Sequence, residues 1–152
     1  MAIEAPLSKY KKNNFRIGIV ILVGLAIWFA YDGYRNEDFI KKHTDQNGKP
    51  DSTLVFNRKS PQYLIGAAAL LGVYLFIIKD KKVIADENSL ITPKRQIAYD
   101  SIEKIDKTHF NSKGYFIITY KDYQGVDADL KLSDGTYDNL SAVLDELIAR
   151  IS

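Results

Sequence analysis

The chain has 152 residues, with 21 Lys and Arg against 19 Asp and Glu, a formal net charge of +2 and 46% hydrophobic residues. The averages are ordinary, but the charges are unevenly spread: residues 17–31 and 63–78 carry none. Those two runs exclude a plain soluble globule and a disordered tail, and the absence of Cys excludes a disulfide-stapled secreted mini-protein, thiol nucleophiles and Fe–S ligation.

Residues 1–14 read as a basic N-terminal arm, with Lys9, Lys11 and Lys12 just ahead of Arg16. The first uncharged run follows. Fifteen residues rise about 22 Å in a helix, short of the roughly 30 Å hydrocarbon core of a bilayer. Extending it to 15–34 closes the gap, because Arg16 can reach back to headgroups and Trp28, Tyr31 and Tyr34 form an aromatic belt. A basic stretch before an apolar run also fits a signal peptide. No small-x-small cleavage site follows, and the run closes on Trp28, Phe29 and Tyr31, so it reads as an uncleaved anchor.

Residues 35–60 read as a connecting loop: an extension of the first helix over 36–46, a turn at Asn47-Gly48-Lys49-Pro50-Asp51, then a short extended piece at 53–56. His43 sits here among charged residues and is expected to be a solvated surface side chain without a partner. Ser60 then reads as a helix cap and Pro61 as a first helical residue, which predicts a second membrane helix over 61–78. Both runs are apolar all round, as membrane helices are and amphipathic core helices are not. Neither holds the ionisable groups that proton relays and ion paths need, so a transporter or channel built from this chain alone is not expected. Each does carry small residues at helical spacing, Ala26 and Ala30 in the first and Ala68 and Gly72 in the second. These let helices approach closely, either within the hairpin or against another protein.

Orientation follows from Lys and Arg near the spans. Lys9, Lys11, Lys12 and Arg16 precede the first, Lys79, Lys81 and Lys82 follow the second, and the loop between holds six. The excess predicts both termini in the cytoplasm, with the seven named residues as a basic collar at the membrane surface.

Residues 79–152 change character to short strands and one helix. Strands are expected at 82–85, 90–92, 96–99, 102–109, 115–120 and 127–132, with Asp86-Glu87-Asn88-Ser89 as a hairpin turn. Asp127 and Asp129 share one face of the last strand and read as its solvated side rather than a carboxylate pair. Thr136 is expected to cap a helix with an apolar stripe of Leu140, Val143, Leu144, Leu147, Ile148 and Ile151, which must cover a sheet face. The fold class is therefore a membrane α-helical hairpin followed by a small α+β domain.

The run Val83-Ile84-Ala85-Asp86-Glu87-Asn88-Ser89-Leu90-Ile91, then Gln96-Ile97-Ala98-Tyr99-Asp100-Ser101-Ile102-Glu103-Lys104-Ile105, resembles the opening of bacterial PH-like domains. The amphipathic C-terminal helix is similar to the one that plugs a PH barrel. The resemblance covers 82–152 and implies a PH-like half-barrel of five or six antiparallel strands closed by that helix. Such domains often follow two membrane spans in small bacterial membrane proteins. Phosphoinositide binding, the usual implication, conflicts with the charges. Residues 79–152 hold 11 Lys and Arg against 13 Asp and Glu, and the first hairpin offers Asp86 and Glu87 where a phosphate would sit.

No catalytic, cofactor or metal constellation emerges. His43 and His109 fall on either side of a span, no glycine-rich phosphate loop is present, and the domain is not basic enough for nucleic acid. The expectation is a non-enzymatic accessory or assembly subunit of a larger complex in the bacterial cytoplasmic membrane. Its partners would be other integral membrane subunits and the lipid bilayer, with no nucleic acid and no small-molecule substrate. The alternative is a membrane-tethered module that senses lipid or peptide.

Overall fold

The computed structural model describes residues 2–152, which divide into two compact units: residues 2–12 with 78–152, and residues 13–77.

The first unit is a small α+β domain. Strands β1 (Ile3–Pro6), β2 (Lys82–Ala85), β3 (Ser89–Ile91) and β4 (Gln96–Ala98) form one antiparallel sheet in that order. A 3-10 turn at Tyr99–Ser101 leads into a second antiparallel sheet of β5 (Ile102–Asp106), β6 (Tyr115–Lys121) and β7 (Asp127–Ser133). The two sheets do not close into a barrel. Period-two alternation sends Phe116, Ile118 and Tyr120 of β6 inward with Leu132 of β7, where they meet Val83, Ala85, Leu90 and Ile97. Helix α5 (Leu140–Ile151) lays Leu140, Val143, Leu144 and Leu147 on this core. Ile151, at the end of the stripe, is 37% exposed.

All six strands expected from residue 82 onward are present as β2–β7. The N-terminal arm, however, is not an arm. Its residues Ile3–Pro6 form a seventh strand in antiparallel register with β2, Ile3 opposite Ala85 and Pro6 opposite Lys82. Ala5 is fully buried in the domain core. The segment is locked further by Leu7 N–H donating to Lys81 O at 2.9 Å and Asp138 N–H donating to Pro6 O at 2.9 Å. Ser8 is 1% exposed; its hydroxyl donates to Gly135 O at 2.8 Å and accepts from Lys11 N–H at 3.1 Å. It is thus the cap from which α1 (Lys9–Tyr34) starts.

This recruitment moves the start of α5. Thr136 does not cap it, because residues 136–139 are engaged with the N-terminal segment. Thr136 O accepts from Ser8 N–H, and the Asn139 amide donates to Glu4 O at 3.1 Å from a left-handed backbone with φ of 61°. The helix begins at Leu140 instead.

The β6 start rests on Gly114, which ends the short helix α4 (Phe110–Lys113) at φ +67°. A Cβ there would clash with the Asp134 carboxylate, which would have to swing aside, and the left-handed backbone strains any L side chain, so glycine is favoured.

The second unit is a helical pair. Helices α1 and α3 (Ser52–Ile78) run antiparallel, with the Phe15 ring 5.4 Å from Tyr74 at one end and Phe29 5.6 Å from Phe56 toward the other. The less exposed positions recur at alternating spacings of three and four. Among them, Ile19, Leu22, Ala26, Phe29 and Gly33 in α1, and Leu54, Asn57, Pro61, Leu64, Ala68 and Leu71 in α3, follow that spacing. That is the three-four spacing by which two helices pack along a common seam. Both helices are long and apolar enough to cross a membrane, at 26 and 27 residues. Only 6% and 11% of their most apolar stretches are buried, unlike the core helices of a soluble protein.

Helix α3 begins at Ser52 rather than Pro61, and the extended piece expected at 53–56 is helical. Asp51 supplies the stronger start: its Oδ1 accepts from Leu54 N–H at 2.9 Å and its carbonyl from Val55 N–H at 3.0 Å. Pro61 then lies inside the helix, where its missing N–H leaves the Asn57 carbonyl without a helical donor. The hydroxyl of Ser60 is buried with no hydrogen-bond partner.

Between the helices, α2 (Glu37–Lys42) is capped by Asn36, which accepts from Phe39 N–H at 3.3 Å. His43 is not unpartnered. Its Nδ1 lies 2.7 Å from Asp51 Oδ2, and its ring stacks on Phe39 at 4.3 Å.

Candidate functional site

Clefts among the described residues of the α+β domain include two of similar size. The larger, about 670 Å³, runs beside β4. Strand β4 is the last strand of its sheet, so its outer backbone edge has no strand partner. Bonds from Thr92 N–H to Arg95 O and from Tyr99 N–H to Asn88 O fix the alternation of the β3–β4 ladder. The amides of Gln96 and Ala98 therefore face away from β3, toward the cleft. The opposite wall is the end of β6 and its turn, Tyr120 to Tyr123. Tyr120 is buried at 4% exposure, whereas Tyr123 is 97% exposed.

The charges here divide into satisfied and available. Lys121 Nζ lies 2.6 Å from Asp127 and 3.2 Å from Glu103, and these carboxylates hold its ammonium above the ordinary lysine range. Asp122 Oδ1 is occupied in its turn by Gln124 and Val126 N–H at 2.8 and 3.0 Å. Arg95 stacks over the Tyr120 ring at 5.9 Å and donates to its hydroxyl. Neither Lys94 nor Arg95 has a carboxylate partner among the described residues. Ser89 accepts from the Gln96 side chain at 2.8 Å, and the Ser101 hydroxyl donates to Ala98 O at 2.7 Å.

The smaller cleft, about 590 Å³, lies between the β5–α4 connection and α5, lined by Lys107, Phe110, Asn111, Asp145 and Ile148 among others. Asp106 borders it; hydrogen bonds from the Thr108 side chain and N–H hold its carboxyl below the ordinary range.

Asp127 and Asp129 lie on the outward face of β7, as expected. Each has a β6 neighbour, Asp127 with Lys121 and Asp129 with the Thr119 hydroxyl at 2.7 Å. They form a cross-strand polar ladder.

Of the small helical residues, Ala26 and Ala68 are buried at 2% and 5% exposure and lie in the seam. Ala30 is half-buried, and Gly72 has no atom within 4 Å of where a Cβ would stand. The tightest approach was not among them. A Cβ on Gly33 would meet Asn57 backbone and Arg58 Cγ at 3.1 Å, and Gly33 O accepts from Arg58 Nε at 2.8 Å.

The seven basic residues fall on α1, on the turn after α3 and on β2. Lys9, Lys11 and Lys12 form the first turn of α1, with Lys9 N–H donating to Asp138 at 3.0 Å, and Arg16 follows one turn on. Lys79 lies 4.0 Å from Asp80, Lys81 gives its carbonyl to Leu7, and Lys82 is tied to Glu4 at 2.6 Å across the β1–β2 ladder. No group of three or more His, Cys, Asp or Glu suited to a metal ion occurs among the described residues.

The β4 cleft was not anticipated from sequence, since its residues come from separated segments. A basic Lys94-Arg95 pair opening a short strand was the one local signal. Compared with protein-family models, curated proteins and solved structures, the chain finds no match in any of the three.

Proposed function

We propose that this protein is a membrane-anchored accessory or assembly subunit of a larger membrane complex, and that its α+β domain is PH-like. The observation that carries the reading is the helical pair. Its outer surface presents Val20, Ile27, Trp28, Leu70, Val73 and Phe76 at 58–73% exposure, with no Asp, Glu, Lys, Arg or His in either uncharged run. Such a surface suits lipid and other helices. Gly24, Gly66 and Gly72, each without a neighbour within 4 Å of its missing Cβ, offer places for a foreign helix to come close. The PH-like reading draws support from seven antiparallel strands grouped four and three, with an amphipathic helix last.

The strands that flank the helical pair in sequence are paired with each other, Pro6 opposite Lys82, which supports a reading with both ends of the pair on one side of the membrane. Lys9, Lys11, Lys12 and Arg16 before the first span, with Lys79, Lys81 and Lys82 after the second, favour the cytoplasmic side of a bacterial cytoplasmic membrane.

The test is purification of tagged protein from its native membrane in a mild detergent, with mass spectrometry of the co-migrating chains. Stoichiometric larger membrane proteins are expected. A monodisperse free monomer overturns the subunit reading.

A further inference from the structure

We infer that the outer edge of β4 is a docking site for an extended acidic segment of a partner protein, added as an extra strand. The inference rests on the subunit reading above and names where, and by what chemistry, such a subunit would grip its neighbour.

Three observations converge. First, the edge offers backbone donors: the Gln96 and Ala98 amides point away from β3 into a cleft of about 670 Å³ that runs alongside. Edge strands are templates for pairing; this one is three residues long and its Ala98 carbonyl takes the Ser101 hydroxyl, but no proline or bulge falls within it and both outward amides are left to a guest. Second, the ends of the cleft are cationic where it matters. Lys94 and Arg95 stand at the entrance to β4 without carboxylate partners, while the other cation, Lys121, is already neutralised by Glu103 and Asp127. A guest strand with acidic side chains would supply the missing partners. Third, the far wall offers an aromatic surface for the guest's alternate side chains, in Tyr123 at 97% exposure.

A lipid phosphate fits less well. It calls for several cations converging on one point, and here the Asp122 carboxylate lines the same cleft, while the open amides require a strand's alternating donors and acceptors.

The experiment uses the full chain in detergent micelles and a random octapeptide display library. Peptides enriched in Asp and Glu at alternate positions are expected. The consensus peptide, synthesised and labelled, should bind at least tenfold more weakly to Lys94→Glu and to Arg95→Glu. Lys94 makes no packing contact that the fold needs, so K94E keeps the test valid if R95E disturbs Tyr120. Bound peptide should slow amide exchange at Gln96 and Ala98 and leave Ile97, already paired with Leu90, unchanged.

Failure to enrich acidic peptides, binding to both variants as tight as to the unsubstituted protein, or unaltered exchange at Gln96 and Ala98 each overturns the inference. So does protection of those amides by phosphatidylglycerol vesicles in place of peptide, or protection that rises with protein concentration alone, which assigns the edge to a second copy. If partners co-purify but no acidic peptide is selected, only the edge site falls. If peptides bind at the edge while the protein purifies alone, it is the subunit reading that fails.

Discussion

The hydroxyl of Ser8 donates to the carbonyl of Gly135 across 127 positions of sequence, and the same oxygen receives the Lys11 N–H at the start of α1. One buried side chain therefore closes the sheet domain and opens a helix. Ser8→Ala removes a cap and a buried hydrogen bond together, and is expected to cost about 1–3 kcal/mol. Chemical unfolding of the domain, followed by near-ultraviolet circular dichroism, should show the loss; an unchanged midpoint would sink the assignment.

A fragment of residues 79–152 lacks β1 and leaves the β2 edge bare beside Val83 and Ala85. It is expected to show no cooperative unfolding transition. A chain joining residues 2–7 to 81–152 through an Asn-Gly turn keeps Leu7 opposite Lys81 and the Pro6–Lys82 register, and should fold as a soluble domain. Equal behaviour of the two chains in thermal scans would show β1 to be dispensable.

Gly114 occupies a position that disfavours any side chain. Gly114→Ala combines a left-handed backbone with a Cβ driven into Asp134, and the expected loss is roughly 2–4 kcal/mol. Adding Asp134→Ala should recover the steric part but not the backbone part, an asymmetry readable from denaturation midpoints of the single and double variants.

Helix packing separates inner from outer small residues. Ala68→Leu overfills the seam and should part the helices, detected as lost cross-linking between cysteines placed at Phe15 and Tyr74. Gly72→Leu should leave that cross-link intact, since nothing stands within 4 Å of the new Cβ, yet reduce co-purification of partners. Loss of the cross-link in Gly72→Leu would contradict this division.

Acid should weaken the structure at two identified carboxylates. Hydrogen bonds from Leu54 N–H, and then from His43, hold Asp51 below the ordinary carboxylate value of 3.8, and Thr108 holds Asp106 there likewise. Groups with depressed folded values add stability that is fully present above about pH 4 and is lost as pH falls through the lowered value. Urea midpoints between pH 7 and pH 2 should decline below pH 4. Asp106→Asn should flatten the domain's part of the slope, and an unaltered slope would remove Asp106 from the account.

The strands β2–β7 and the stripe of α5 were legible because each carries its own period and turn signals. Strand β1 was not. Four residues ending in proline carry little pattern, and their partner lies beyond both helices. The α3 start misled because two signals compete, Ser60-Pro61 and Asp51, and only the fold shows Asp51 bonded to Leu54 N–H. The helix seam was hidden because residues on every face are apolar, so the three-four spacing of Leu64, Ala68 and Leu71 does not stand out. His43 looked solitary since Asp51 meets it only after the turn at Gly48 brings the chain back. The β4 cleft depends on Tyr120–Tyr123 approaching Lys94 and Arg95, a tertiary fact that no local spacing encodes.

Because the helical hairpin interrupts the connection from β1 to β2, the order of synthesis and the order of folding diverge. Strand β1 leaves the ribosome first, yet its partner appears only after both apolar helices have been made. The sheet can close only if the two helices deliver the chain back to the side from which it departed. A chain with one helix misplaced would leave β1 stranded and the β2 edge naked, open to proteases and chaperones. The Pro6–Lys82 pairing would thus act as a built-in inspection point in biogenesis, passed only by molecules whose helices have both been set in place.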